Sequence, residues 1–175
     1  MIRASRREAM MGALAVPTLA GLPQWRWQHG EASLLLHDSS TAAGRRFAAA
    51  GTARGGQVVE LAGDRVRQMR QLLAANPALV AGVSLAADAL LVEEVAREHG
   101  YTRVALLGGA ADACGVHDCR PGWQALGRMA QGAGGSWIEA LAEYAVQPGG
   151  QGTVPSAPVA ADSTAVLGWV LARKG

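Results

Sequence analysis

At 175 residues and 18.0 kDa the chain has room for one hydrophobic core and little for a second. Half of its residues are apolar, 17% are charged and the mean hydropathy is +0.11, which together exclude a disordered chain. The 23 glycines follow no three-residue repeat, which excludes a collagen-like fibre and assigns them to turns and close packing.

The net charge of +2 arises at the N-terminus. Ser5-Arg6-Arg7-Glu8-Ala9-Met10 leads into an uncharged stretch from Ala9 to Leu22, and Thr18-Leu19-Ala20 supplies the small residues of a cleavage site. Paired arginines ahead of a mildly apolar run resemble a bacterial twin-arginine translocation signal, with Ala9 and Met10 standing where its usual pattern has Phe and Leu. The resemblance implies handling by that export machinery and a periplasmic or secreted location; an ordinary amphipathic N-terminal helix is the alternative. The run is too short and too weakly apolar for a span, which needs about 20 apolar residues, so no membrane span is expected in the mature protein. The organisation read from this is an export signal over residues 1–20, an N-terminal arm over 21–31 and a single domain over 32–175. Without residues 1–20, thirteen basic residues face thirteen acidic ones and the charge is zero. The pI of about 8.8 therefore belongs largely to the signal, and the domain offers no basic field to a nucleic acid. In the arm, Trp25-Arg26-Trp27 is read as packing one Trp on the domain, with an interfacial anchor as the alternative, and His29 belongs to the same arm.

From Ala32 onward short apolar runs alternate with helical patterns. Ser33-Leu34-Leu35-Leu36 reads as a strand ending in His37-Asp38-Ser39-Ser40, and Thr41 to Arg54 as a helix closed by Gly55-Gly56. Gln57 to Leu61 is a second strand. Gly63-Asp64 then caps a helix whose Val66, Met69, Leu72 and Leu73 share one face and which Asn76-Pro77 ends. Leu79 to Leu85 is a third strand. Asp88 is read as the cap of a helix from Ala89 to His99, with Leu91, Val92, Val95 and Ala96 inward, Glu93 and Arg97 paired outward, and Gly100 as its stop. Arg103 to Leu107 is a fourth strand.

Buried parallel strands read as continuous apolar runs and need helical crossovers, so this alternation predicts a single small parallel α/β sheet of about four or five strands, in order 2-1-3-4. In topology it resembles the flavodoxin-like and other doubly wound, Rossmann-like folds, which implies a three-layer α/β/α sandwich. Half of a periplasmic-binding-protein architecture is the competing reading. After Gly108-Gly109 comes a loop with Cys114-Gly115-Val116-His117-Asp118-Cys119, then Pro121-Gly122-Trp123. Ser136-Trp137-Ile138-Glu139 has the spacing of a capping box for a helix from Trp137 to Ala145. Gln147 to Pro158 is turn-rich, and Val166 to Leu171 is either a fifth strand returning to the sheet or a short terminal helix.

In open parallel sheets ligands bind beyond the carboxyl ends of the strands, where strand order reverses. Here that point lies between the first and third strands. It would bring His37, Asp38, Ser39, Ser40 and Thr41 together with Ser84, flanked by Asp64, Gly108 and Gly109. The hydroxyls and N–H groups of Ser39-Ser40-Thr41-Ala42-Ala43-Gly44 at a helix start suit a phosphate or carboxylate, and the stretch resembles in outline the phosphate loop of flavodoxins. Plain helix capping by Ser40 or Thr41 is the alternative. Gly82-Val83-Ser84-Leu85-Ala86 sets a serine between strand and helix, as a nucleophile elbow does, with Ala86 in place of the second glycine. His117 with Asp112 or Asp118 would complete the set, Asp112 giving the Ser, Asp, His order of the α/β-hydrolases.

Cys114 and Cys119 are the only two thiols, and in an exported protein a local disulfide is the default. A redox pair lacks the Cys-x2-Cys spacing, and a metal held by Cys114, His117, Cys119 and His37 lacks a second ligand cluster, so no metal is expected and the sequence requires no cofactor. His99 is placed at a helix C-terminus, where the dipole suits it. The expectation is a small exported α/β protein of binding or accessory type, holding a small anionic ligand or a periplasmic protein partner at the carboxyl edge of its sheet. Ser39, Ser40 and Thr41 would donate to the ligand, Ser84 would form the opposite wall, and the cysteine loop would cover it. The rivals are a serine hydrolase using Ser84, a thiol-disulfide protein using Cys114 and Cys119, and a scaffold subunit presenting Trp123, Trp137 and Trp169.

Overall fold

The structure, a computed structural model, describes residues 32–108, 119–147, 154–158 and 166–174. The chain runs β1 (Ser33–His37), α1 (Ala42–Ala53), β2 (Gln57–Glu60), α2 (Arg65–Ala74), β3 (Leu79–Leu85), α3 (Ala86–Glu98), β4 (Tyr101–Gly108), α4 (Gln124–Ala133), α5 (Trp137–Val146) and β5 (Val166–Arg173). The sheet order is β2-β1-β3-β5-β4. β1 is parallel to both β2 and β3, while β5 is antiparallel to both β3 and β4. No helix among the described residues is long and apolar enough to cross a membrane.

The sheet is thus mixed rather than purely parallel, and the order 2-1-3-4 is corrected by the insertion of β5 between β3 and β4. The C-terminal apolar segment is a strand, not a helix. A central strand buried on both faces reads as a continuous apolar run whichever way it points, so Val166 to Leu171 left both the choice between strand and helix and the strand's direction open.

Alternation along the strands divides the core in two. Leu35, Ala81 and Val170 face α1, α4 and α5, where they meet Phe47, Leu126 and Leu141. Leu34, Leu36, Val80 and Leu171 face α2 and α3, where they meet Met69, Leu73 and Val92. Helices therefore lie on both faces, giving three layers. The two faces meet at β5. Trp169 stands opposite Gly82 on β3, and a Cβ at Gly82 would lie 2.2 Å from its ring. The neighbouring Gly168 leaves the space on the other face that the Trp137 ring fills.

Several helix ends follow the sequence. The Thr41 hydroxyl accepts from Gly44 N at 2.9 Å to cap α1, and Asp64 accepts from Arg67 N at 3.0 Å to cap α2. Asn76, at φ 53°, turns the chain out of α2, and His99 Nδ1 lies 2.9 Å from the Val95 carbonyl at the end of α3. Others differ. α3 starts at Ala86, directly out of β3, so Asp88 is no cap; it lies in the first turn, paired with Arg65 at 2.8 Å. Glu93 pairs with Arg103 of β4 at 2.6 Å instead of Arg97, which takes Glu94. Ser136, at φ −92° and ψ 15°, lacks the extended backbone of a capping residue and makes no side-chain cap. Glu139, the other half of the expected capping box, is held by Arg46 at 2.7 Å.

Gly82→Ala should destabilise the fold by about 1–3 kcal/mol, the usual range for forcing a methyl into a filled core, or more if the Trp169 ring cannot shift. Urea unfolding monitored by circular dichroism checks this; an unchanged midpoint would show that Trp169 does not occupy the space over β3.

Candidate functional site

β1 connects through α1 on one face to β2, whereas β3 connects through α3 on the other face toward β4, so strand order reverses between β1 and β3 as the sequence predicted. His37 ends β1, beside Glu60 of β2 and Val83 of β3. The turn that follows is built around Asp38, which is 3% exposed. Its N–H donates to the Val83 carbonyl at 3.1 Å, and its Oδ1 accepts from Ser40 N at 2.9 Å and Ser40 Oγ at 2.6 Å. This is the local turn that a short carboxylate makes with the backbone two residues on. The Thr41 hydroxyl donates to the Asp38 carbonyl at 3.0 Å, and Gly44 is what lets helix and turn close up, since a Cβ there would lie 2.1 Å from the same carbonyl oxygen. Ser39 donates to the Glu60 carboxylate, while its own carbonyl accepts from Arg45 Nη1 at 2.6 Å.

The turn therefore brings His37, Asp38, Ser39, Ser40 and Thr41 together, but the three hydroxyls expected to donate to a ligand already donate to groups of the turn and to Glu60. Two carboxylates, Asp38 and Glu60, stand where an anion would have to come. His37 Nδ1 is buried and has no hydrogen-bond partner. Burial pulls the His37 pKa below its ordinary value of 6.5, with Glu60 and then Asp38 pulling weakly the other way.

Ser84 is not on the crevice wall. It is fully buried; its hydroxyl accepts from the Trp169 indole N–H at 3.1 Å and donates to the Leu85 carbonyl at 3.2 Å. A hydroxyl so enclosed meets no substrate. Asp64 is an exposed helix cap on the next loop, and Gly108 ends β4. Gly109, Asp112, Cys114 and His117 lie outside the described residues. Cys119 is buried against the core of the first face, and no described cysteine is free. Trp123, Trp137 and Trp169 are likewise core residues, at most 4% exposed, and offer a partner no surface. Among the described residues no group of three His, Cys, Asp or Glu side chains could hold a metal ion.

α5 starts at Trp137, where the sequence places it; what the sequence did not reveal is the direction in which the helix runs and that its start has no side-chain cap. Arg46 of α1 binds Glu139 of α5 at 2.7 and 2.9 Å, and Arg54, at the C-terminal end of α1, binds Glu143 one turn further along α5. The two helices therefore run in the same direction, and both N-termini open at the carboxyl edge. α3 starts at that edge too, on the other face. Thr41 caps α1 with its side chain; α3 and α5 have no side-chain cap. Uncapped first-turn N–H groups carry the positive end of a helix dipole. The only hint in the sequence pointed the other way, because Ser136 and Glu139 have capping-box spacing. Compared with known proteins, the chain matches no family model, no curated protein and no solved structure.

Because the folded pKa of His37 is lowered, the unfolded chain binds the extra proton first as pH falls. The stability this neutral histidine contributes is fully present above about 6.5 and is lost as pH drops through the folded value. His37→Gln should flatten that part of the stability profile. In a native-state NMR titration His37 should have its midpoint below 6.5, lower still in Glu60→Gln; a midpoint at or above 6.5 would refute the burial argument.

Proposed function

We propose that the chain is a binding or accessory domain, exported by the twin-arginine-like signal, that holds a small anionic ligand at the carboxyl edge of its sheet. The charged group of the ligand sits at the N-terminus of α5, beside that of α1. What supports this reading is the parallel pairing of α1 and α5, which turns an uncapped ten-residue helix toward the edge where strand order reverses. Asp38 and Glu60 make the Ser39 to Thr41 turn the poorer place for an anion, so the turn forms the wall and the donors are the Ser136 hydroxyl and the first-turn N–H groups of α5 after Trp137, whose own N–H donates to the Gly134 carbonyl at 3.1 Å. What supports a likeness to doubly wound folds is the parallel β2-β1-β3 half of the sheet alone. The Cys114 to Cys119 disulfide belongs to the same proposal. It is supported by Cys119 not being a free thiol, and is read as a mass loss of two hydrogens in the purified protein.

Titration with inorganic phosphate and with acetate, followed by amide shifts, tests the site. Residues 136–139 should move saturably and residues 39–41 less. Absence of saturable shifts at millimolar anion, or shifts confined to 39–41, would overturn the assignment. The hydrolase rival predicts that a fluorophosphonate labels the chain and that Ser84→Ala abolishes the labelling. The burial of Ser84 leads us to expect no label, and stoichiometric labelling at that residue would sink the binding-only reading.

A further inference from the structure

Among the described residues two ring nitrogens are buried without a hydrogen-bond partner, His37 Nδ1 and Trp137 Nε1. The sheet register puts both rings in one row near the carboxyl edge. His37 of β1 pairs with Val83 of β3, and Val83 pairs with Gly168 of β5, where the Trp137 ring fills the space of the missing side chain. Side chains alternate along a strand, so His37 lies on the first face with Leu35, as Val83 does with Ala81. The two rings therefore flank Val83 on the face that carries α1 and α5, with the backbones of β1 and β5 about 10 Å apart. The ring atom nearest to where a Gly168 Cβ would lie is Cζ3, directly across the six-membered ring from the carbon that bears Nε1, so the indole N–H is turned away from β5. Trp137 is also the first residue of α5, and a helical Cα–Cβ bond tilts toward the N-terminus, which sets the ring beside the helix start. There the Trp137 and Ala140 backbone N–H groups donate to the Gly134 and Ser136 carbonyls, whereas those of Ile138 and Glu139 have no acceptor. The Ser84 hydroxyl makes its bonds inside the fold; the indole N–H of Trp137, in a residue 1% exposed, makes none. A buried donor left unpaired is costly, and its position marks a place for an acceptor.

Building on the anion site at the start of α5, we propose that the charged group of the ligand is a tetrahedral oxyanion, a phosphate or sulfate group, seated over Val83 between these two rings. Trp137 Nε1 donates to one oxygen, His37 Nδ1 to a second, and the Ile138 and Glu139 N–H groups, with the Ser136 hydroxyl beside them, to a third. The donors converge from three directions. A tetrahedral group offers an oxygen to each, whereas a carboxylate has two oxygens in one plane. His37 is half-buried, so the row opens to solvent on the β1 side. The neighbouring acids are engaged elsewhere. Glu60 stands on β2, on the other side of His37, and accepts from Ser39; Asp38 accepts from Ser40, and Glu139 is held by Arg46.

Titration of the full chain at neutral pH with methyl sulfate and, separately, acetate, both monoanions, tests this by NMR. The Trp137 indole N–H signal is identified by its proximity to Gly168. That signal and the His37 ring signals should shift saturably with methyl sulfate, with the same Kd as the Ile138 and Glu139 amides, and methyl sulfate should bind several-fold more tightly than acetate. Trp137→Phe, which keeps a ring over Gly168 and removes the N–H, should weaken methyl sulfate binding about tenfold, the usual loss for one hydrogen bond to a charged group. Amide shifts in which either ring stays still, equal affinity for the two anions, or unchanged affinity in folded Trp137→Phe would overturn the two-ring site and leave the α5 anion site standing. Absence of saturable shifts at every one of these residues would overturn both.

Discussion

Trp169 lies on β5 over a bare stretch of β3. The missing side chain at Gly82 lets the indole ring settle against the strand, and the indole N–H reaches across to Ser84 two residues further along. Slipping β5 by one residue would turn Trp169 to the opposite face and bring Gly168 round in its place. That slip would also lose the pocket for Trp137, which depends on Gly168 having no Cβ. Two adjacent residues therefore fix one register from both faces. Because β5 is hydrogen-bonded to β3 on one side and β4 on the other, β4 has no other route into the sheet. The interior hydroxyl of Ser84 belongs to this arrangement: a buried indole N–H needs an acceptor, and Ser84 supplies it while donating onward to a carbonyl.

The same constraint shapes the carboxyl edge. Val166 pairs with Leu85, so β5 starts where β3 and β4 end. The helices between β4 and β5 are both on the first face, and α5 lies along α1 through Arg46–Glu139 and Arg54–Glu143. Glu143 is 4% exposed, and a carboxylate so buried is tolerable only with its partner in place. Reversing α5 would strand that charge in the core. The buried Arg54–Glu143 pair thus favours this direction of α5, and with it the placing of its N-terminus at the crevice.

How much of this was readable without coordinates varied with the range of the interaction involved. The parallel β1-β2-β3 half was legible because its apolar runs and intervening helices are local patterns, and Thr41 and Asp64 were legible as caps because each bonds a backbone N–H three residues away. β5 was legible as an apolar segment, strand or helix, but its place and direction were not, since they rest on the fit of Trp169 to Gly82, eighty-seven positions apart in the chain. Ser84 looked like a nucleophile because a serine at a strand end is locally identical whether it faces solvent or an indole. Glu139 looked like half of a capping box because nothing nearby in sequence announced Arg46, ninety-three residues earlier, as its partner.

A hydroxyl-rich helix start is ambiguous in a way that an uncapped one is not. The groups that suit Ser39, Ser40 and Thr41 to a ligand also let the chain satisfy itself. Here the turn does so, with Asp38 Oδ1 taking two bonds from Ser40 and Thr41 closing the first turn of α1. A ligand arriving there must break internal hydrogen bonds before making its own, and an anion must also approach two carboxylates. At α5 no side chain has to be displaced, and the one acid in its first turn, Glu139, is already neutralised by a bidentate Arg46. Local chemistry thus directs the search for a ligand away from the residues richest in donors and toward a helix end that has none of its own side chains to fill it.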